Sequence, residues 1–180
     1  MTAHDPTRRE RWIRTLLLAF IVGVLVTVAL LTGGPRSGRL EAGSTAPDYS
    51  LPATSGETDS LQQHRGRPVY LLFWATWCDI CTVELEAMAE LTDLPEARDV
   101  VFRTIAMNDL RDIERHRRRA GIPWEAELPI LLDADSRAAR AYRIDAVPTS
   151  ILIDGEGKIV RSFEGSVGKR TLAGALDKLR

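Results

Sequence analysis

Two cysteines separated by two residues are the side chains in this sequence best suited to chemistry. Cys78 and Cys81 are the only cysteines among the 180 residues, too few for a disulfide scaffold or an all-cysteine zinc site. Residues i and i+3 face the same side of a helical turn, so their Cα atoms can come within the ~4.4–6.8 Å that a disulfide tolerates. The spacing therefore predicts a pair that can switch between dithiol and disulfide.

The cysteine pair lies where a predicted strand ends and a predicted helix begins. Residues 69–73 are continuously apolar, as in a strand buried on both faces, and residues 79–94 carry apolar side chains at helical spacing up to Pro95. Cys78 is thus expected at the helix N-terminus, where free N–H groups and the helix dipole favour a thiolate. Cys81, one turn further in, is expected to be more shielded. This asymmetry predicts that Cys78 attacks a disulfide and Cys81 resolves the mixed disulfide.

Two other interpretations of the pair are weaker. A zinc or iron–sulfur site would need further ligands, and His4, His64 and His116 show no ligand spacing. A purely structural disulfide would close a very short loop and restrict the unfolded chain little. We therefore predict redox chemistry, with no metal and no cofactor.

The elements that must position the pair alternate along the chain. Strands are predicted at residues 100–106, 130–132, 150–153 and 159–163, and helices at 109–120, 136–142 and 169–179. Alternation at the front predicts parallel strands, and the Asp-Gly-Glu-Gly run at 154–157 predicts a closing hairpin. Ser136 is a candidate N-cap, and residues 49–61 are expected to form a small hairpin around Gly56. The predicted fold class is α/β, with a central mixed sheet flanked by helices.

Composition and charge restrict the class of function. The 24 Lys and Arg nearly balance the 25 Asp and Glu, for a formal net charge of −1. Nucleic-acid-binding proteins are usually strongly basic, so nucleic acid is not a predicted partner. Five arginines between residues 111 and 119 make one predicted helix basic. We interpret that helix as a solvated face, with a docking surface for anionic lipid or an acidic partner as the alternative.

The N-terminal part of the chain contains a long uncharged run. Residues 15–35 carry no charged side chain, and at ~1.5 Å per residue they can cross a hydrocarbon core of ~30 Å. Arginines are concentrated before this run, so the positive-inside rule places residues 1–14 in the cytoplasm. We predict a transmembrane anchor at 15–35, a linker at 36–46 and a folded domain at 47–180 outside the cytoplasm. A cleaved signal peptide is the alternative.

Several motifs, in the same order along the chain, resemble a known family. The run Phe-Trp-Ala-Thr-Trp-Cys at 73–78 with Cys81, followed by Val147-Pro148-Thr149, is similar to the thioredoxin fold. More narrowly, it resembles the membrane-anchored TlpA/ResA/CcmG (DsbE) group of bacterial thiol–disulfide oxidoreductases. Residues 46–52, 66–68 and 148–155 also match, so the likeness covers roughly residues 43–180.

The resemblance implies roles for further residues. In such proteins the proline of the Val-Pro-Thr element is cis and packs beside the cysteines. Pro148 is therefore expected opposite Cys78, with Trp77, Val147 and Thr149 contacting an extended substrate segment.

A glutamate is a further residue that the resemblance singles out. Glu84 stands at the acidic position of the family's C-x-x-C-x-x-E pattern, which implies that it tunes the thiols. Three residues after Cys81 on the same helix face, it is placed to take part in proton transfer. A solvated surface glutamate is the alternative.

The sequence departs from thioredoxin between the cysteines and in the preceding strand. Asp79 and Ile80 stand between the cysteines, and Ile80 replaces thioredoxin's proline. A carboxylate at Asp79 is expected to raise the pKa of the Cys78 thiol, which makes the pair more reducing. Leu72 stands where thioredoxin has a buried aspartate, which leaves Glu84 as the main candidate proton acceptor.

The resemblance implies that the protein reduces disulfides in client proteins. In relatives the clients are often apocytochrome c haem-attachment cysteines or copper-site cysteines, with electrons from a DsbD/CcdA-type membrane protein. A net thiol oxidase on the same fold is one alternative. A copper chaperone similar to Sco proteins is another, although those carry C-x-x-x-C, one residue longer than here. Nothing resembles the Thr-x-x-Cys site of peroxiredoxins, which disfavours a peroxidase.

Overall fold

The computed structural model describes residues 12, 14, 16–24, 27, 40–120 and 128–179. The chain divides into two compact units, Met1–Ser37 and Gly38–Arg180. In the first unit, residues 16–24 and Thr27 are helical. Within the described positions, no helix combines the length and the apolar character that crossing a membrane requires. The rest of the predicted anchor, most of the predicted tail at 1–14 and residues 36–39 of the predicted linker lie outside the described residues.

The described part of the second unit contains seven strands and four helices. In chain order they are β1 Ser50–Pro52, β2 Thr58–Ser60, β3 Val69–Trp74, α1 Asp79–Leu91, β4 Val101–Ala106, α2 Leu110–Ala120, β5 Ile130–Leu132, α3 Arg137–Ala141, β6 Thr149–Ile153, β7 Ile159–Glu164 and α4 Lys169–Leu176. Short 3-10 turns occupy Leu61–His64, Pro95–Ala97 and Asp177–Leu179. These elements agree with the predicted ones apart from their ends.

Five strands form a central sheet in the order β5-β4-β3-β6-β7. Strands β3, β4 and β5 are parallel, whereas β6 is antiparallel to β3 and β7 is antiparallel to β6. The predicted α/β fold with a mixed sheet is therefore confirmed. Strands β1 and β2 form the small hairpin predicted around Gly56, and a bridge between Ala53 and Leu131 joins this hairpin to the edge of the sheet.

Strand β3 is the centre of the core, with all six of its residues buried. Because side chains alternate along a strand, β3 contributes to two apolar layers. Tyr70, Leu72 and Trp74 pack in the layer that also contains Cys81 of α1. The intervening residues face the other layer, beside Tyr142. The C-terminal end of β3, and the cysteine loop that follows it, are therefore held at a fixed position by the buried strand.

Helix α1 ends three residues earlier than the apolar spacing predicts. Both the amide and the hydroxyl of Thr92 donate to the carbonyl of Ala89, at 3.1 and 2.7 Å, and this i−3 bonding tightens the last turn. Leu94 adopts an extended conformation with ψ 142°, because a residue before proline avoids the helical region. Pro95 therefore restricts the backbone of the residue that precedes it.

Ser136 is the N-cap residue of α3, as predicted, but its side chain does not cap the helix. Ser136 precedes α3 but has a left-handed backbone, φ 56°, and makes no side-chain cap bond. The buried carboxylate of Asp133 accepts the amides of Ala138 and Ala139 instead, at 3.0 and 2.8 Å. A residue outside the helix therefore satisfies its free N–H groups.

The folded domain begins earlier than the predicted boundary at residue 47. The amide of Gly43 donates to Ile159 at 2.7 Å, and that of Ala46 to Gly157 at 2.9 Å. Thr45 forms a bridge with Lys158. The end of the predicted linker is thus paired with the β6–β7 hairpin, because its backbone groups find partners at that edge.

Candidate active site

The two cysteines are joined by a disulfide at the start of α1, with their Cα atoms 5.3 Å apart. Cys78 is the N-cap residue of the helix and is half-buried. Cys81 is completely buried. The predicted difference in exposure is therefore present, and Cys78 carries the sulfur that is more accessible from outside.

The loop between β3 and α1 is held by the segment that follows β4. The carbonyl of Trp74 accepts the amide of Met107 at 2.9 Å. The amide of Thr76 donates to the Oδ1 atom of Asn108 at 2.8 Å. Sequence reasoning missed Asn108, because nothing in its neighbourhood along the chain marks it as a partner of the cysteine loop.

The Val-Pro-Thr element lies against the accessible cysteine. The Sγ atom of Cys78 is 3.7 Å from the carbonyl oxygen of Val147. The Val147–Pro148 peptide bond is cis, as the resemblance implies. Thr149 starts β6 next to Phe73 of β3, and its hydroxyl donates to the carbonyl of Ala146 at 2.7 Å. The fold thus brings together two segments that are about 70 residues apart in the sequence.

The surface beside the disulfide is apolar and exposed. Trp77, Ile80 and Val83 are 70%, 55% and 57% exposed. Ile80 and Val83 are three residues apart and lie on one side of the first turns of α1, and Trp77 comes just before the N-cap residue Cys78. Asp79 is also exposed and adds one carboxylate beside Cys78. Exposed aromatic and aliphatic side chains next to a reactive group are typical of a protein-binding surface.

Glu84 is completely buried, so the alternative of a solvated surface glutamate is wrong. Its Oε2 atom accepts a hydrogen bond from the hydroxyl of Ser166 at 2.7 Å. The amides of Val167 and Gly168, just before α4, donate to the same oxygen at 3.2 and 3.5 Å. In the described part of the chain, the buried Oε1 atom has no hydrogen-bond partner. One oxygen of the carboxylate is therefore satisfied, and the other remains an open acceptor.

The charge of Glu84 affects the pKa of a nearby phenol, that of Tyr70. Burial raises the pKa of Tyr70 more than its hydrogen bond with Ser150 lowers it, and the charge of Glu84 adds to the rise. The Tyr70 hydroxyl, 2.9 Å from the Ser150 hydroxyl, therefore stays protonated at neutral pH.

The folded domain contains two histidines, His64 and His116, and each contacts another side chain. The Nε2 atom of His64 lies 3.0 Å from a carboxylate oxygen of Asp59, and the His116 ring contacts the Trp74 ring edge-on. Within residues 40–120 and 128–179, no three His, Cys, Asp or Glu side chains converge as a metal site requires.

A cavity of about 640 Å³ lies beside the β1–β2 hairpin and is lined in part by Asp59, His64 and Arg103. The charged side chains that line the cavity form hydrogen bonds with one another. Asp59 receives hydrogen bonds from Arg103 at 2.7 Å and from the Tyr49 hydroxyl at 3.0 Å. This network connects the hairpin to β4, which indicates a structural role.

We expect Asp59→Asn to lower stability at pH 7 and to weaken the acid sensitivity of the fold. Burial alone would raise the pKa of Asp59, but hydrogen bonds from Arg103 and His64 outweigh it and lower the pKa. Stability from such a carboxylate is present above its unfolded pKa of ~3.9 and is lost as the pH falls through the lower folded value. Urea unfolding at pH 7 and pH 3 measures the effect, expected at about 1–3 kcal/mol at pH 7. The exposed Glu57→Gln, on the same hairpin, is the control, and an equal response of both variants would contradict the prediction.

Comparison with known proteins places this geometry among redox proteins. The sequence profile of the AhpC/TSA family matches residues 42–162. Thiol-disulfide oxidoreductase ResA of Geobacillus thermodenitrificans is 27% identical, over 93% of this chain and 94% of that protein. Thioredoxin-like protein YneN of Bacillus subtilis is 30% identical, over 93% and 98%. The crystal structure of a putative thiol:disulfide interchange protein DsbE from Chlorobium tepidum has a TM-score of 0.70 at 28% identity and covers 78% of this chain and 98% of that one.

Proposed function

The chain belongs to the AhpC/TSA family and is a thiol–disulfide oxidoreductase of the ResA/DsbE type, and from this premise we propose that it reduces disulfides in client proteins. The observation that carries the proposal is the disulfide between a half-buried Cys78 and a completely buried Cys81. The Cys78 sulfur can contact a client disulfide, and the Cys81 sulfur is shielded until it attacks the mixed disulfide. The two thiols carry both electrons of the reaction.

In the first step the Cys78 thiolate attacks a client disulfide. A bond forms between Cys78 Sγ and one client sulfur, and the other client sulfur leaves as a thiolate that takes a proton from water. Cys78 is the N-cap of α1, so unpaired helix amides and the helix dipole support the attacking thiolate.

In the second step Cys81 resolves the mixed disulfide. Its thiol gives a proton to Glu84, and the resulting thiolate attacks Cys78 Sγ, which releases the second client sulfur as a thiolate. The client gains two electrons, and the enzyme is left with its disulfide. Cys81 and Glu84 are both completely buried and lie three residues apart on α1, the spacing at which helical side chains are neighbours.

We assign client binding to Trp77, Val147, Pro148 and Thr149. The Val147 carbonyl lies 3.7 Å from Cys78 Sγ, so an extended client strand along this segment brings its own sulfur to the reacting atom. The exposed side chains of Trp77, Ile80 and Val83 favour clients with apolar residues around the cysteine. Apocytochrome c and copper-site proteins are the client classes that the family suggests, and a DsbD/CcdA-type membrane protein is the proposed electron donor.

Asp79 supports reduction rather than oxidation. It is the first residue of α1 and is exposed next to Cys78. Its negative charge disfavours a thiolate at Cys78 and so makes the dithiol form less stable. DsbA is a strong oxidant because its reduced form is stabilised, so the opposite charge arrangement here favours a reductant.

We expect a reduction potential near that of thioredoxin, ~−270 mV, and far from that of DsbA, ~−120 mV. The measurement equilibrates the full chain, in detergent, with defined mixtures of thiol and disulfide and counts the alkylated cysteines by mass spectrometry. Asp79→Asn should move the potential towards oxidising values, whereas Glu86→Gln, an exposed carboxylate further along α1, should not. A wild-type value near that of DsbA would refute reduction and favour the thiol oxidase.

We further propose that the N-terminal segment holds the domain at the outer face of the bacterial cytoplasmic membrane. Support comes from the absence of charge at residues 15–35, the arginines that precede them and the exposed apolar side chains of the helical residues 16–24, such as Leu18 and Phe20. Retention of the chain in membranes after an alkaline wash, with release by detergent, tests this placement.

A further inference from the structure

The loop that carries the reactive cysteine is fixed by a side chain from a different part of the fold. Asn108 is 8% exposed and lies between β4 and α2. Its Oδ1 atom accepts the Thr76 amide at 2.8 Å, two residues before Cys78. The carboxamide therefore holds the backbone from which Cys78 enters the helix.

The surroundings of Asn108 favour an amide at this position. Its Nδ2 atom donates to Asp112 at 3.5 Å, and Asp112 in turn accepts Arg115 at 2.7 Å. One end of the side chain therefore meets a donor and the other meets a carboxylate. A leucine could not accept the Thr76 amide, and an aspartate would place two carboxylates side by side.

Helix α2 supplies a firm base for this contact. Ile113 is completely buried, and the His116 ring contacts Trp74, the last residue of β3, with ring centroids 6.4 Å apart. The carbonyl of Trp74 also accepts the Met107 amide. Because α2 is packed on β3 in this way, Asn108 cannot simply follow a movement of the cysteine loop.

We propose that Asn108 is a positioning residue that stabilises the Cys78–Cys81 disulfide relative to the dithiol. The disulfide requires the two Cα atoms within a narrow range and has them 5.3 Å apart, whereas the dithiol has no such requirement. A contact that holds the loop in the closed geometry lowers the entropy cost of forming the bond. Asn108 thus makes the pair more reducing, which deepens the proposed function.

The test is the equilibrium in which two enzyme thiols and glutathione disulfide give the enzyme disulfide and two glutathione molecules. For the full chain with Asn108→Ala, we expect the equilibrium constant to fall about tenfold, a shift of ~30 mV for a two-electron couple. Thr104→Val is the control. It removes a different hydrogen bond of a buried side chain, from the Thr104 hydroxyl to Pro129 at 3.1 Å, and should leave the constant unchanged.

A second variant separates positioning from general stability. The exchange Asn108→Asp with Asp112→Asn keeps an acceptor for Thr76, an amide–carboxylate pair and the total charge. We expect its constant to lie within about twofold of the wild type, a difference too small to matter on the scale of a tenfold effect. If the equilibrium constant of this double variant fell as far as that of Asn108→Ala, the proposal would be refuted.

Unfolding of the oxidised and reduced forms completes the test. A merely structural Asn108 would destabilise both forms equally in the Asn108→Ala variant and leave the equilibrium constant unchanged, which would overturn the inference. The reducing function has its own test, since a wild-type potential near that of DsbA refutes it whatever Asn108 does.

Discussion

Replacing Cys81 by alanine is expected to leave a protein that captures its clients, and replacing Cys78 by alanine one that captures none. Cys78 is half-buried at the helix N-terminus, so without Cys81 it still attacks but its mixed disulfide cannot be resolved. Cys81 is completely buried, so without Cys78 it cannot meet a client. Turnover falls in both variants by a factor on the order of 10³ or more, the scale of losing a catalytic nucleophile.

The measurement compares adducts of the two variants in cells. Thiols are quenched with acid and alkylated, and disulfide-linked species are separated without reductant and identified by mass spectrometry. The double variant Cys78→Ala with Cys81→Ala has no cysteine and gives the background. Equal capture by both single variants would show that the assignment of attacking and resolving roles is wrong.

The captured proteins also test the choice of clients. Proteins with haem-attachment or copper-site cysteines among the Cys81→Ala adducts would support the proposed client classes, and a dithiol membrane protein would support the proposed electron donor. The exposed side chains of Trp77 and Ile80 predict apolar residues next to the captured client cysteine.

The sequence predicted the parts of the site that depend on local spacing. The apolar run at 69–73 and the helical pattern after it place Cys78 at a strand-to-helix junction, and the structure has Cys78 as the N-cap of α1. The buried position of Cys81 follows from one further helical turn. Each of these features needs only the periodicity of neighbouring residues, which is readable in a sequence.

Contacts between distant segments were not predictable in the same way. Glu84 was equally compatible with a surface position, and its burial depends on Ser166 and the amides before α4, more than 80 residues later. The Thr76–Asn108 bond spans 32 residues, and the capping of α3 comes from Asp133 rather than Ser136. In each case the partner is chosen by how the sheet brings loops together, a tertiary property that local propensity does not contain.

The second large effect concerns the buried glutamate. Glu84→Gln is expected to slow resolution of the mixed disulfide about 10²-fold at neutral pH, the lower end of what a positioned proton acceptor contributes. Glutamine has nearly the same size, and its oxygen can accept the hydrogen bonds that Ser166, Val167 and Gly168 make with Oε2. What it lacks is a carboxylate oxygen able to take the Cys81 proton, the role we give to the unpartnered Oε1.

Rapid mixing with a model disulfide that releases a coloured aromatic thiol separates the two steps. The first release reports attack by Cys78, and the second reports resolution by Cys81. We expect Glu84→Gln to leave the first release nearly unchanged and to slow only the second, so that mixed disulfides accumulate even with both cysteines present.

The matched control lies two residues further along the same helix. Glu86 is exposed, so Glu86→Gln removes the same charge from α1 without touching the buried carboxylate. If the role of Glu84 were only its charge near the helix N-terminus, the two variants would slow resolution to a similar extent, and proton acceptance would be refuted. A purely structural role would show as a lower urea midpoint for Glu84→Gln with both releases slowed together. Only a proton acceptor affects the second release alone, because only the Cys81 thiol must lose its proton inside the protein, where water cannot take it.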